Sequence, residues 1–327
     1  EQVPKTIDGL VDAHGIPFHV LDDFLCPSHS RHRMHAVPGV TGQGLITRLE
    51  QAVSATETMI VTSACVTDLF LSEGGEVIGA RCERPDGAIE AIAAKRTILA
   101  CNGYGGNPDL VARHIPEMKD ALYFGHPGNQ GEAILWGEQI GAVPTHLSGY
   151  QGHGSVAHPH GILVTWALMM EGGIQVNLEG RRFSNEHQGY SEQAVSVLAQ
   201  PEQTAFNIFD GRLQQLGRKF EDFRNAEENG AVIVADSPAE LATRIGIDSD
   251  ALEATLDEAG LLAESGKPDR FGRLFSADTL LQAPYCAVRV TGALFHTQGG
   301  LLVDDNARVK RADGSVFGSL FACGGAA

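Results

Sequence analysis

The chain has 327 residues, 43 % of them hydrophobic and 20 % charged, with a formal net charge of -17 and a pI near 5.1. That composition excludes a fibrous or disordered chain, and the length allows two domains. The acidic balance excludes general affinity for nucleic acid or anionic lipid, which need clustered Lys and Arg, so small molecules or other proteins are the expected partners.

In chain order, Leu45, Leu49 and Val53 fall four apart after a glycine-rich lead-in and predict a one-sided helix over Gly42 to Val53. A strand-rich stretch follows. Ile60 to Thr62 is short and apolar, "EVIGARCE" and "AIEAIAA" flank a Pro85-Asp86-Gly87 turn as a hairpin, and "TILAC" reads as a buried strand ending in Asn102-Gly103. "GEAILWGEQIGA" predicts a helix from Gly131 to about Ile140, closed by Gly141. Between about Tyr150 and Gln282 the character changes to helices and irregular stretches, as a separate lobe would show. Within it, Ser237-Pro238-Ala239-Glu240 is a capping box with Leu241 and Ile245 behind it, and a second helix is expected from Asp250 to Ala259 with Leu252 and Leu256 inward. "YCAVRVTGALF", "GGLLVD" and "SLFACGG" return to strands.

Six cysteines (Cys26, Cys65, Cys82, Cys101, Cys286 and Cys323) lack CxxC spacing, which favours free thiols in a reducing compartment; cytoplasm is the default location, although a start at Glu1 leaves room for a removed signal peptide. No run of 18 apolar residues exists, so no membrane span is expected. The histidine groups His29, His32, His35 and His153, His158, His160 lack helical spacing and a nearby thiolate or carboxylate, so no metal is expected.

Three junctions carry the chemistry. "RTILACNGYGGN" ends a buried strand in side-chain-free backbone, which is what a ligand crossing the carboxyl ends of a Rossmann-like sheet needs. "GHPGNQGEAILWGEQIGA" leads glycines into a helix N-terminus, whose free amides favour electron-rich groups, and "LFACGGAA" is the third such junction. In "GALFHTQGGLLVDD" a histidine, His296, stands beside Gly299 and Gly300, where backbone amides and an imidazole can approach a flat ligand together.

These segments, with "GGIQVNLEGRRFSNE" and "APYCAVRVTGALFHTQGG" between them, resemble in order and spacing the flavoprotein subunits of fumarate reductase and succinate dehydrogenase, together with the flavin-dependent 3-ketosteroid dehydrogenases. The resemblance covers nearly the whole chain. It implies an α/β fold: a discontinuous Rossmann-like FAD-binding domain, incomplete here, with an inserted α+β capping domain. The divisions are 1–149 for the first FAD-binding part, 150–282 for the cap and 283–327 for the return. The implied cofactor is FAD, lined by Val66, Ala100, Gly103, Tyr104, Gly131, Glu132, Gly299, Gly324 and Gly325, and the implied partners are a small-molecule substrate and an electron donor or acceptor. His296, His153 in "YQGHGS" and Thr165 match substrate-binding positions, while Arg182, Asn185 and Glu186 would fix the cap against the flavin domain.

Two departures shape the substrate. The arginine that follows "NE" in fumarate reductases, and protonates the substrate, is Tyr190 here, and the glutamate after the matching threonine is Trp166. A phenol can move a proton but cannot clamp a carboxylate as a guanidinium does. The expected function is therefore hydride transfer between flavin N5 and a carbon next to a carbonyl or carboxylate, with a ketone or enone in view and Tyr190 as the proton-moving group. The N-terminal GxGxxG of the family is missing, since "GVTGQG" differs in spacing, and the family's last flavin-contacting helix would begin after Ala327. The chain thus reads as part of a longer flavoprotein, and the competing expectation is a non-catalytic remnant acting as a binding or interaction protein.

Overall fold

The computed structural model describes residues 3–22, 30–39 and 41–327, so Cys26 and His29 lie outside the described residues. The chain divides into two compact units, Glu1–Cys65 with Glu83–Ala88, and Val66–Cys82 with Ile89–Ala327. The first unit holds α1 (Val3–His14), the short pair β1 (His19–Val20) and β2 (His35–Ala36), and α2 (Gly42–Ser54). Thr41 caps α2 by accepting from the Gly44 N–H at 3.1 Å. Ile60 to Thr62, expected as a strand, forms none: Met59, Ile60 and Val61 are exposed, and without a partner strand so short an apolar run closes no ladder.

The second unit runs through β3 (Cys65–Leu71), β4 (Val77–Glu83), β5 (Ile89–Ala93), β6 (Thr97–Leu99), α3 (Pro108–His114), β7 (Leu122–Tyr123), α4 (Glu132–Ile140), β8 (Pro144–Thr145), β9 (Tyr150–Ala157) and β10 (Ile162–Leu163). Next come α5 (Ala167–Met170), β11 (Ile174–Val176), α6 (Tyr190–Leu198), β12 (Thr204–Asp210), α7 (Gly211–Gly217), α8 (Glu221–Glu228), β13 (Ile233–Ala235), α9 (Pro238–Ile245) and α10 (Ser249–Ser265). It closes with β14 (Tyr285–Thr297), β15 (Gly300–Leu301), β16 (Arg308–Lys310) and β17 (Val316–Ala322).

Two arrangements in this unit position the site. In the smaller, β6 pairs in parallel with β17, Leu99 opposite Ala322, so both strands deliver their carboxyl ends to the same place. Leu99, Phe317 and Leu320 pack there with Leu69 and Val77 of β3 and β4. The larger is a seven-stranded sheet in the order β10-β9-β14-β12-β11, with β7 and β13 also paired to β14. β12 is buried at every position: Phe206 and Ile208 face one core cluster with Leu241 and Leu252, while Ala205 and Phe209 face another with Leu213 and Phe223. Helices and irregular stretches make up most of 150–282, but five of its segments are strands in this sheet. β12 carries no strand signal in the sequence because a strand buried on both faces lacks the polar-apolar alternation that marks a half-exposed one. β14, which opens the returning segment, pairs with β12 and β9 of the inserted segment and forms the middle of their sheet.

The local helix and turn signals hold. α4 starts at Gly131 (φ 86°) and stops at Gly141 (φ 81°), both left-handed. Ser237 caps α9 by accepting from the Glu240 N–H at 3.2 Å, and Glu240 Oε2 accepts from Asp236 N–H at 3.0 Å. α10 runs six residues beyond the expected Ala259: Gly260 stays helical and the stop comes at Gly266 (φ 62°).

Candidate active site

The glycine junctions converge. Beyond the parallel pair, Cys323 N–H donates to Leu99 O at 3.0 Å, which brings Ala100–Gly103 beside Cys323–Gly325. A Cβ on Gly325 would lie 2.7 Å from Gly103 N, and one on Gly300 would lie 2.5 Å from the Ala326 carbonyl carbon. A Cβ on Gly103 would run into Thr297 Oγ1, which accepts from the Tyr104 N–H at 3.1 Å, and one on Gly131 would meet Tyr104 Cβ at 2.8 Å. Gly299 lies against Leu147, whose carbonyl accepts from the fully buried Tyr104 hydroxyl. Gly103, Gly131, Gly299, Gly300 and Gly325 thus serve the approach of chain to chain, and Tyr104 contributes its ring to the core.

What remains open at this end is Ala100 and Gly324, both exposed, with empty space where the Gly324 Cβ would be. Glu132, the first residue of α4, has a buried Oε2 with no partner among the described residues. It stands near Cys101, whose thiol is pushed up by burial and by the Glu132 charge. Val66 is half-buried at the start of β3, three residues before Leu69.

The candidate substrate-binding side chains gather on and around the large sheet. His153 and Gln151 alternate along β9 and therefore share a face, and the β9–β14 register sets His153 opposite Ala293 and Gln151 opposite His296. Irregularities between Thr291 and Ala293 and between Leu294 and His296 re-aim β14 there and leave Phe295 unpaired. Phe295 uses that freedom to stack on His153 (centroids 5.1 Å, planes 10° apart), while Tyr190 stacks with His153 at 5.1 Å and 20°. Phe124 stacks on Phe295 at 5.0 Å and 20°, so four rings form a column, Phe124-Phe295-His153-Tyr190. The Trp166 indole meets His153 edge-on at 5.7 Å.

This column decides what His153 can do. Its ring is 6 % exposed, and burial drives its pKa down to about 3, so it is neutral under ordinary conditions. Nδ1 accepts from the Ser155 N–H at 3.2 Å, which leaves the ring proton on Nε2 as a donor. His153 therefore offers one neutral N–H. The Tyr190 hydroxyl accepts from Gln151 Nε2 at 3.0 Å. Thr165 Oγ1 accepts from the Ala167 N–H at 3.3 Å, keeping its own proton to donate, and the neighbouring Val164 N–H bonds Ser155 O at 3.0 Å. Trp166 Nε1 is buried without a partner among the described residues.

Behind the column lies a buried amide network that no sequence signal marked. Asn207 Nδ2 donates to Ser155 Oγ, Gln175 Nε2 donates to Asn207 Oδ1 and Gly154 O, and Gln193 Nε2 donates to Gln175 Oε1, each at 2.7 Å. α6 comes this close because Gly152, Gly154 and Gly292 have no side chains; a Cβ on Gly154 would lie 2.8 Å from the Gln193 carbonyl carbon. Gln175 N–H also bonds Glu186 Oε1 at 2.9 Å, joining the network to an ionic cluster. There Arg182 reaches both Glu186 oxygens at 2.9 and 2.7 Å and also Asp269, and Arg273 reaches Glu186 at 2.8 Å. Burial would raise the Glu186 carboxyl, but the two guanidinium groups and the Gln175 N–H hold it below the usual range. The expectation that Arg182, Asn185 and Glu186 fasten the cap to the flavin domain needs correcting. Arg182 and Glu186 bind Gln175, Asp269 and Arg273 of the same inserted segment, and Asn185 caps the following turn through the His187 N–H at 3.0 Å.

Parallel strand ends that meet at glycines, in one chain with a neutral imidazole on β9, a phenol at the start of α6 and a hydroxyl in the loop after β10, make an α/β protein with candidate groups for binding a ligand. The chain belongs to the family of the FAD binding domain, whose model matches residues 1–327. A cytochrome-type fumarate reductase of Shewanella frigidimarina is 31 % identical over 233 residues, covering 71 % of this chain and 40 % of the relative. A 3-oxosteroid 1-dehydrogenase of Mycobacterium tuberculosis is 26 % identical over 325 residues, covering 86 % of this chain and 57 % of the relative. The open conformation of a flavocytochrome c3 fumarate reductase matches the structure with a TM-score of 0.82 at 27 % identity, covering 99 % of this chain and 57 % of that one. The chain spans about half the length of the curated relatives it matches. The cofactor of this family is FAD, and the full-length match disfavours a remnant without flavin. The residues fit the group: Ala100 and Gly324 are exposed with open space at the Gly324 Cβ position, and the unpartnered Glu132 oxygen can accept from a ligand hydroxyl. No helix of the described residues is long and apolar enough to cross a membrane.

Proposed function

We propose that this chain forms the substrate-binding and part of the cofactor-binding core of an FAD-dependent oxidoreductase acting on CH–CH bonds beside a carbonyl, with an uncharged ketone or enone as substrate. When bound, the flavin supplies the centre that takes or gives the hydride. The chain's own residues do the rest. His153 Nε2–H, with its tautomer held by Ser155, and the Thr165 hydroxyl donate to the substrate oxygen, and His296 lies across the strand pair from Gln151 as a further donor. A neutral imidazole is suited to this, since it stabilises developing enolate charge without first losing a proton to the substrate. The Tyr190 phenol, steadied against His153, gives or takes the proton at the adjacent carbon.

The observation that carries the substrate class is the stack itself. At the two positions where fumarate reductases have charged groups, this chain places a phenol and an indole against an uncharged, buried imidazole. A C4 dicarboxylate would lack a guanidinium clamp at Tyr190. The relatives support both directions of chemistry, one being named for fumarate reduction and another for 3-oxosteroid dehydrogenation. Tyr190→Phe in the flavin-loaded full-length protein should lower turnover of an enone or its saturated ketone by about 10² or more. Unchanged turnover would remove Tyr190 from the chemistry.

A further inference from the structure

We propose that Gln151 is a positioning residue for Tyr190: its amide donates to the phenolic oxygen, steadies the oxyanion formed when the proton leaves, and so directs the O–H toward the substrate. This rests on the reading of Tyr190 as the proton-moving group. The geometry is direct, with Gln151 Nε2 at 3.0 Å from Tyr190 Oη. Stacking on His153 fixes the plane of the Tyr190 ring, and the Gln151 bond fixes its oxygen. Only the O–H rotor stays free, and no acceptor for its proton is found among the described residues.

Gln151 is singled out from its neighbours by where its donor goes. Gln175, Gln193 and Asn207 spend their amides on one another and on Ser155, Ser184 and Gly154. Gln151 instead aims at the phenol from the strand position opposite His296, two residues before His153. A donor pointed at an oxygen that becomes charged favours the charged form over the neutral one, so it eases release of the phenol proton and, in the reverse direction, keeps the proton-accepting form populated. The titratable groups around Tyr190 are His153 on β9, His296 on β14, His187 in the turn before α6, Glu192 on α6 itself, and the Arg182–Glu186–Arg273 cluster behind that turn. The Gln151 amide is neutral, so its contribution persists whatever the state of those groups.

The test uses the flavin-loaded full-length protein labelled with 13Cζ-tyrosine. The chain has five tyrosines, and loss of one signal in Tyr190→Phe identifies Tyr190. Gln151→Leu removes the donor at similar volume, and Gln151→Glu keeps the shape but offers an acceptor that retains the phenol proton. In both, the 13Cζ signal of Tyr190 should move from its wild-type position, because the phenolic oxygen loses the amide donor. Turnover should fall about tenfold or more with KM changed less than about threefold, and neither change at Gln151 should matter further once Tyr190 is Phe. An unmoved Tyr190 13Cζ signal in Gln151→Leu, or unchanged turnover there, overturns the proposal. Full turnover in Tyr190→Phe would overturn the proton-moving role of Tyr190, while the 13Cζ signal in the Gln151 variants still reports on the Gln151 bond by itself.

Discussion

Glu186→Gln makes the sharpest demand on the packing behind the site. The carboxylate is fully buried and accepts four bonds, two from Arg182, one from Arg273 and one from the Gln175 N–H. The isosteric amide can keep the acceptor at Oε1, but its NH2 would face the Arg182 and Arg273 donors now held at 2.7 and 2.8 Å from Oε2. It also leaves Asp269 as the remaining carboxylate paired with Arg182 in the cluster. Removing one partner from a buried ion pair costs about 3 to 5 kcal/mol, because the other charge stays buried without compensation. For a unit of this size that corresponds to a fall in Tm of roughly 6 to 20 °C. The loss is pH-dependent in sign. Because the folded-state pKa of Glu186 lies below 4.5, its contribution is fully present above that value and fades as pH falls through the lower folded value. Thermal unfolding at pH 7 and near pH 3 should therefore show a large wild-type advantage that shrinks in acid. A destabilisation below about 1 kcal/mol at pH 7, or an advantage that grows in acid, would refute this.

Further predictions concern the column and the strand ends. His153 is neutral when folded, with a pKa near 3 against 6.5 unperturbed, so it should cost stability progressively as pH falls from about 6.5 toward 3. His153→Gln should flatten that part of the stability profile, and a histidine signal at His153 titrating near 6.5 by NMR would contradict it. Gly325→Ala should destabilise by about 1 to 3 kcal/mol, since its Cβ would press on Gly103 N and Asn102. Gly324→Ala meets open space and should cost only about 1 kcal/mol for its positive φ of 61°; chemical denaturation that ranked the two the other way would refute the packing account.

Elements with local signals were legible in the sequence. The Pro85-Asp86-Gly87 hairpin, α4 between its two glycines and α9 behind Ser237 each declare themselves within a dozen residues. β9 and β12 were not, because strands buried on both faces show no period, and α10 runs on past the expected Ala259 to its stop at Gly266. At the site, His153, Tyr190, Thr165 and His296 are marked by the resemblance, whereas Gln151 and Phe295, though they lie inside the motifs "YQGHGS" and "GALFHTQGG", carry no signal of their own. Their roles arise from the β9–β14 register and its irregularities, a pairing of residues about 140 positions apart that no local pattern encodes. The glycines were read as room for a ligand; most of them turn out to admit other parts of the chain.

The most direct test of the central claim, an FAD site facing an uncharged carbonyl substrate, is anaerobic reoxidation of the reduced flavin in the full-length protein, followed by its visible absorbance. A cyclic enone should reoxidise it at least about 10²-fold faster than fumarate, because nothing at Tyr190 or Trp166 can clamp a carboxylate. Faster reoxidation by fumarate would contradict the account.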